Sequence, residues 1–364
     1  MKFRCERDAL LEALTATGRA AGTRGGFHIV LSGVHMALKG DELTLTATDR
    51  ELTIINRLTV AGAGDGAAVV TSRLAGDVVR SLDAGAVSVT VDDEGIHIDS
   101  ARSKFSLQTM GTEDFPRVAP LEGDPVVLDA EGLLTALRQV VKAASGDESR
   151  PVLTGVLLSA EQEGLRLVTT DSYRLALCDL PGLEVLGSDQ SVLVPSRALQ
   201  EVIRLLADEE QISVRFNDRE ASFEVGSITV TTRLIEGEFP SYQGLIPTHQ
   251  PNRLTVNREA FINAVRRVRL MAQDSTPIRM DMTASGLELS ATTQDVGEAT
   301  EQLDAVFEGE DLTVAFNPEY LLDGADAAPG EEIVLNTVDA LKPAVIRTPE
   351  AEQFLYLLMP VRIN

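Results

Sequence analysis

The segment Leu165-Arg-Leu-Val-Thr-Thr-Asp-Ser-Tyr-Arg-Leu175 has a counterpart 122 residues upstream, Leu43-Thr-Leu-Thr-Ala-Thr-Asp-Arg-Glu-Leu52. Leu43, Leu45, Thr48 and Asp49 match Leu165, Leu167, Thr170 and Asp171. Another 122 residues downstream stands Leu287-Glu-Leu-Ser-Ala-Thr-Thr293, which keeps both leucines and Thr292 but has Thr293 in the aspartate position. Three copies at one spacing constrain the chain to three similar domains. Its 364 residues agree, being too many for one ordinary core.

Each repeat predicts the same order of elements. A short strand and an amphipathic helix come first: Phe3 to Cys5 then Arg7 to about Ala21, Val126 to Leu128 then a helix through Val141, and Leu254 to Val256 then a helix to Met271. Period-two strands follow, among them Val34 to Leu38, Leu43 to Ala47 and Leu165 to Thr169. A second helix then opens at Ser72, Ser196 and Asn317, each expected to be an N-cap, with Pro318 at the first helical position. Further strands close each repeat, including Val87 to Val91, Phe105 to Met110 and Phe354 to Leu358. Proline-punctuated connectors, Phe115 to Pro125 and Phe239 to Pro251, set boundaries that give domains 1–122, 123–250 and 251–364. The fold class is α+β: three similar domains, each a sheet outside and two helices inside. If three such units do not complete a ring in one chain, two chains head to tail can.

Catalytic signatures are missing. The four histidines, His28, His35, His97 and His249, have no metal-binding spacing. Gly62-Ala-Gly-Asp-Gly66 lacks the lysine of a phosphate loop and reads as a flexible loop, and Asp92-Asp93-Glu94 as a hairpin turn. Asp49 and Asp171 recur at equivalent places, which suits a turn better than acid/base work. Cys5 and Cys178 lie in apolar patterns far apart, favouring two buried thiols over a disulfide or metal pair. No apolar run spans a bilayer and no signal peptide opens the chain, so a cytoplasmic protein is expected.

Charge is distributed unevenly. The chain carries −24, which argues against simple nucleic-acid binding if spread evenly, yet the six helical segments together carry +3. The most basic is the fifth, with Arg258, Arg266, Arg267 and Arg269 against Glu259; the sixth is acidic, with Glu319, Asp323 and Asp326. Arginines without interleaved aromatics suit duplex phosphates better than stacked single strands, though they equally suit a solvated face balanced by neighbouring acids.

With these features in hand, the chain resembles the bacterial sliding clamps, the beta subunits of DNA polymerase III. The resemblance rests on the opening Met1-Lys-Phe-Arg, the Thr170-Asp-x-x-Arg-Leu175 turn, Glu238-Phe-Pro-Ser-Tyr242, Phe316-Asn-Pro-Glu-Tyr320 and the ending Tyr356-Leu-Leu-Met-Pro-Val-Arg-Ile363, in order over the whole length. It implies a non-catalytic processivity subunit without cofactor or metal. The implied form is a homodimeric ring around double-stranded DNA, with the replicative polymerase, the clamp loader and other clamp-binding proteins as partners and no membrane contact. An enzyme of unknown chemistry on the repeat scaffold is the alternative, and a transcriptional or ligand-binding module a second.

The resemblance also implies sites. The client-peptide groove falls on Leu153, Thr170, Arg174, Leu175, Pro240, Leu245, Asn317, Tyr320, Leu341, Pro343, Met359, Pro360, Val361 and Arg362. The DNA-facing residues are Arg24, Arg73, Arg80, Arg138, Lys142, Arg150, Arg197, Arg204, Arg266 and Arg267. The dimer contact would pair Lys104, Phe105 and Leu107 with Leu270 and Met271. Ser172-Tyr173, Gly244 and the terminal Asn364 depart from the common family pattern and alter the rim of the groove.

Overall fold

The computed structural model describes residues 1–22, 29–162, 164–272 and 276–362. Six α-helices occur among them: α1 (Arg7–Gly18), α2 (Ser72–Ser81), α3 (Ala130–Val140), α4 (Ser196–Leu205), α5 (Arg258–Val268) and α6 (Pro318–Ala327). Two thus fall in each repeat, as the apolar periodicity predicts. By contacts the chain divides into two units, residues 1–130 with 204–234 and residues 131–203 with 235–364. The central repeat is therefore shared between them.

Strand pairing explains the sharing. In the first unit, Leu52–Thr59 of the first repeat pairs with Ile228–Arg233 of the second, with Ile54 opposite Val230. The result is a nine-stranded sheet, beside a five-stranded sheet that ends in Ser103–Leu107. In the second unit, Arg174–Pro181 pairs with Ala351–Leu358, with Leu177 opposite Leu355, and builds another nine-stranded sheet. A four-stranded sheet ending in Gly297–Leu303 completes that unit. Backbone edges that one repeat leaves bare are closed by the next. Each repeat does not own a separate sheet.

Helix faces cover the sheets through aliphatic side chains. Leu10 and Leu14 of α1, Val79 of α2, Leu137 of α3, Val202 of α4, Val265 of α5 and Leu321 of α6 are all buried. Among the largest wholly buried side chains are Phe3, Phe223, Phe316, Phe354 and Tyr356.

Four local readings need correction. Ala61–Gly64 is a strand rather than a loop, pairing with Lys2–Glu6, and its Gly62 N–H donates to Asp41 Oδ1 at 2.9 Å. Alanine and glycine carry no strand preference, so tertiary pairing alone defines it. Phe105 to Met110 is not one strand: Ser103–Leu107 and Thr109–Met110 belong to different sheets. Ser72 and Ser196 are the first residues of α2 and α4, not their caps, and Thr71 before α2 makes no side-chain capping bond. The edge strands Gly297–Leu303 and Ala305–Glu308 have no sequence expectation, because charged residues interrupt their alternation.

The third repeat caps both of its helices with asparagine. Asn317 Oδ1 accepts from the Glu319 and Tyr320 N–H groups at 2.8 and 3.4 Å, and Asn257, not foreseen, caps α5 through the Ala260 N–H at 2.9 Å. Asn317→Ala should therefore lower stability by about 1 kcal/mol. Ser72→Ala, which removes no capping bond, should cost less, and the two urea midpoints compared with the parent check the difference.

Candidate functional site

Three adjacent strands of the second unit end together, and this end carries the apolar surface. Arg174 opens Arg174–Pro181 opposite Leu358, the last residue of Ala351–Leu358, and Ala344, which opens Ala344–Thr348, also pairs with Leu358. Beneath lies a core of Val168, Leu175, Leu177, Tyr242, Val345, Leu355 and Leu357, with Leu157, Phe239 and Ile246 packed half-buried against it. Beside these strand ends in the chain stand the exposed Tyr173 (60%), Leu341 (67%) and Met359 (40%), and Leu245 (52%) is exposed on a separate connector. The Met359 N–H donates to the Tyr173 carbonyl at 2.8 Å, tying two of them together. Leu245 stands in a 3-10 turn between Tyr242 and Ile246, which both pack on the core. Exposed apolar groups beside a preformed apolar floor are what a docked segment would cover.

The turn Thr170 to Arg174 forms one wall, and its shape comes from Asp171. Its Oδ1 accepts from the Tyr173 and Arg174 N–H groups at 2.8 and 3.0 Å, while Ser172 takes a left-handed φ of 82°. Asp49 does the same in the first repeat, accepting from Glu51 and Leu52 at 3.0 and 2.8 Å beside Arg50 at φ 79°. Both aspartates are turn formers.

Only the second repeat adds Arg174, and this side chain is buried. Its Nε donates to Asp171 Oδ2 at 3.0 Å, Nη1 to Asp323 and to the Tyr356 hydroxyl at 3.2 Å, and Nη2 to the Lys142 carbonyl at 2.7 Å. Its guanidinium also lies 4.4 Å from the centre of the Tyr320 ring. Burial opposes its charge, but Tyr356 and Asp323 more than offset that and raise its pKa. Burial likewise raises Tyr356 and keeps its hydroxyl neutral, against the opposing pull of Arg174. A Cβ at Gly324 would lie 2.6 Å from the Tyr356 ring, so that glycine lets α6 approach the hub.

The remaining groove candidates divide by burial. Leu153, Thr170 and Leu175 are buried; Asn317, Tyr320, Pro343, Pro360 and Val361 are half-buried; Pro240 and Arg362 are exposed. The Val361 N–H donates to the Ala315 carbonyl at 2.7 Å, holding the last described residues against the strand Leu312–Phe316.

Among the basic residues, Arg73, Arg80, Arg138, Lys142, Arg150, Arg197, Arg204, Arg266 and Arg267 are exposed, and Arg24 lies outside the described residues. Arg150 contacts the turn itself, with Nη1 3.2 Å from Ser172 Oγ. The fifth helix offers less free charge than its composition implies. Arg258 donates to the Ala325 and Asp326 carbonyls at the end of α6, at 2.9 and 3.1 Å, and Arg269 meets Glu319. The acidic α6 is thereby explained: Glu319, Asp323 and Asp326 all face cations from neighbouring elements. Of the candidate dimer residues, Lys104 and Leu270 are exposed, Phe105 and Met271 half-buried and Leu107 buried.

Burial pushes the Cys178 thiol up to about 12 and, with help from Glu6, Cys5 up to about 11; both thiols are free. Cys178 is buried and Cys5 half-buried. Among the described residues no cluster of three or more His, Cys, Asp or Glu side chains fits a metal, and no helix is long and apolar enough to cross a membrane.

Comparison with known proteins accounts for the whole chain. Models of the DNA polymerase III beta subunit match in order: the N-terminal domain at residues 1–119, the central domain at 127–241 and the C-terminal domain at 243–362. The beta sliding clamp of Streptomyces coelicolor is 31% identical over 381 residues, covering all of both chains. Among solved structures, the sliding clamp of Bartonella birtlesii bound to griselimycin superposes with TM-score 0.91 at 31% identity. That of Bacillus subtilis superposes with TM-score 0.90 at 27% identity, and each comparison covers 100% of both chains.

The hub dictates a stability test. Arg174→Ala leaves Asp171 and Asp323 without their shared partner and should cost about 3 kcal/mol. Arg174→Lys should recover less than half, since one ammonium cannot reach four acceptors and stack on a ring. Denaturant unfolding of both variants measures the order.

Proposed function

The chain belongs to the family of DNA polymerase III beta subunits, the beta sliding clamps, and on that premise we propose that two copies close head to tail around duplex DNA and tether client proteins at the apolar end of the second unit. The family is a non-catalytic processivity factor, so the reading as an enzyme falls. Its place is the cytoplasm, where the polymerase, the clamp loader and other proteins with clamp-binding peptides are its clients. Processivity then comes from topological linkage, and the DNA contact stays weak and independent of sequence.

The observation that carries the client site is that Tyr173, Leu245, Leu341 and Met359 are exposed on segments that flank or pack on one buried apolar floor. A short extended or turned peptide would lay two or three apolar side chains on that floor. Arg174 acts beneath it as a positioning residue that fixes the turn. Met359 supplies an unbranched thioether able to fit different side chains. Domains 1–122, 123–250 and 251–364 would be the three repeated units of this ring.

Closure by two copies is supported by sheet edges. Ser103–Leu107 and Gly297–Leu303 are outermost strands of their sheets, so each has unpaired backbone on one side. Lys104 on the first and Glu298 on the second are exposed and of opposite sign. Leu270, 75% exposed, and Met271 lie just beyond α5. We assign Phe105 as the anchor of this contact, with Lys104, Leu107, Leu270 and Met271 around it.

Two measurements test the proposal. Leu245→Ala combined with Met359→Ala should weaken binding of a fluorescent client-derived peptide by about tenfold or more, without changing the mass of the dimer. Equal affinity for parent and variant would overturn the site. Phe105→Ala should weaken the dimer by about 2 kcal/mol, roughly thirtyfold in Kd, read by sedimentation across a dilution series. A parent protein that stays monomeric at micromolar concentration would overturn the ring.

A further inference from the structure

Carboxylates stand beside most of the basic side chains assigned to DNA. Asp326 lies 3.5 Å from Lys142 Nζ and 3.7 Å from Arg266 Nη2, and Lys142 is also 3.7 Å from Asp323. Asp77, on α2, repeats the fork between Arg73 at 3.8 Å and Arg80 at 2.8 Å. Arg267 is held by Glu301 through two bonds of 2.7 and 2.9 Å. Both aspartates therefore serve two cations each, and each cation stays half or more exposed.

We propose that Asp326 and Asp77 are built-in counterions that keep the contact with DNA loose, so that a phosphate reaching these cations must displace a fixed carboxylate instead of a mobile salt ion. The inference rests on the DNA-facing reading given above and adds its regulation. Neutralising a phosphate with a free arginine or lysine releases condensed cations, which makes binding tight at low salt and steeply salt-dependent. A cation already paired within the protein gives up its own partner, so part of that gain is lost. The displaced carboxylate also remains a few ångströms from the phosphate and repels it. Asp323 does not serve in the same way, because its other oxygen is engaged by Arg174 in the hub.

The geometry of the pair also suits sliding. Surface pairs of this kind are worth only about 0 to 1 kcal/mol, so they exchange readily with passing phosphates rather than locking them out. A ring that cannot dissociate sideways needs no affinity to stay bound, and excess affinity would only add friction.

The test is single-molecule tracking of labelled clamp loaded on stretched duplex DNA, over a range of salt, with Asp326→Asn. The substitution keeps the side-chain shape and the backbone carbonyl that Arg258 uses. The variant should slide about three- to tenfold more slowly at low salt and show a steeper salt dependence than the parent, because Arg266 loses its carboxylate and Lys142 keeps only its contact with Asp323. Lys142→Ala with Arg266→Ala should slide faster than the parent, and adding Asp326→Asn to that pair should change nothing further. If the double alanine variant leaves sliding unaltered, the DNA-facing reading of these residues fails. If it speeds sliding but Asp326→Asn does not slow it, the counterion proposal fails while the DNA-facing reading stands. Slowing by Asp326→Asn that persists without Lys142 and Arg266 would also overturn the proposal, and the dimer mass of every variant excludes a folding defect.

Discussion

Unpaired strand edges govern this chain. A repeat of this design leaves backbone N–H and C=O groups bare along its outer strands, and water or another strand must satisfy them. The chain solves this by strand addition, joining Leu52–Thr59 to Ile228–Arg233 in one unit and Arg174–Pro181 to Ala351–Leu358 in the other. The second junction has a chemical consequence. It brings the turn Thr170 to Arg174, the approach to Ala344 and the exit from Leu358 to one end of one sheet. The proposed client site would thus be a by-product of how two repeats share a sheet.

Divergence within the repeat then adds what pairing alone cannot. Three equivalent turns each hold one residue in the left-handed region, Arg50, Ser172 and Asp295. In the first turn, Leu52 occupies the place of Arg174 and is simply buried in the core. In the second, Arg174 replaces that apolar group with a cation whose donors reach Asp171, Asp323, Tyr356 and the Lys142 carbonyl. A buried charge is tolerable only when paired and hydrogen-bonded, so this one position makes the turn, α6 and the strand carrying Tyr356 interdependent. One substitution in a duplicated motif converts a scaffold turn into a junction.

This contrast explains what was legible beforehand. Helices and central strands carry apolar periodicity, so all six helices and the repeat that orders them can be read from residue patterns. Edge strands such as Ala61–Gly64 and Gly297–Leu303 cannot: the first, built of alanine and glycine, is paired by the distant Lys2–Glu6, and the second, a hairpin partner of Gly286–Thr293, is interrupted by charged side chains. The groove was traceable only through family resemblance. The proposed residues fall in six separate stretches, and no local pattern links the segments of Leu245 and Met359. The Arg174 hub was likewise hidden: a lone arginine in a turn looks solvated until Asp323, 149 residues away, is seen to meet it. The excess of arginine on α5 was overread for a related reason, since composition does not distinguish Arg266 from Arg258, which ends up against the last carbonyls of α6.

A formal charge of −24 on a protein that embraces a polyanion looks self-defeating, and distance resolves it. At physiological salt, charges separated by more than about 8 Å are largely screened, so acids elsewhere on the surface contribute little where DNA passes. What matters locally is the balance between each cation and the carboxylates within one contact. Asp77 and Asp326 set that balance because each is fixed on its helix within contact of two cations. The acidic α6, which counts against a uniformly basic surface, is then consistent with the function: its carboxylates organise the junction through Asp323 and moderate the cations through Asp326. A topological link removes the need for strong attraction at short range. For such a molecule weak binding is the useful state, and the paired residues are where the sequence encodes it.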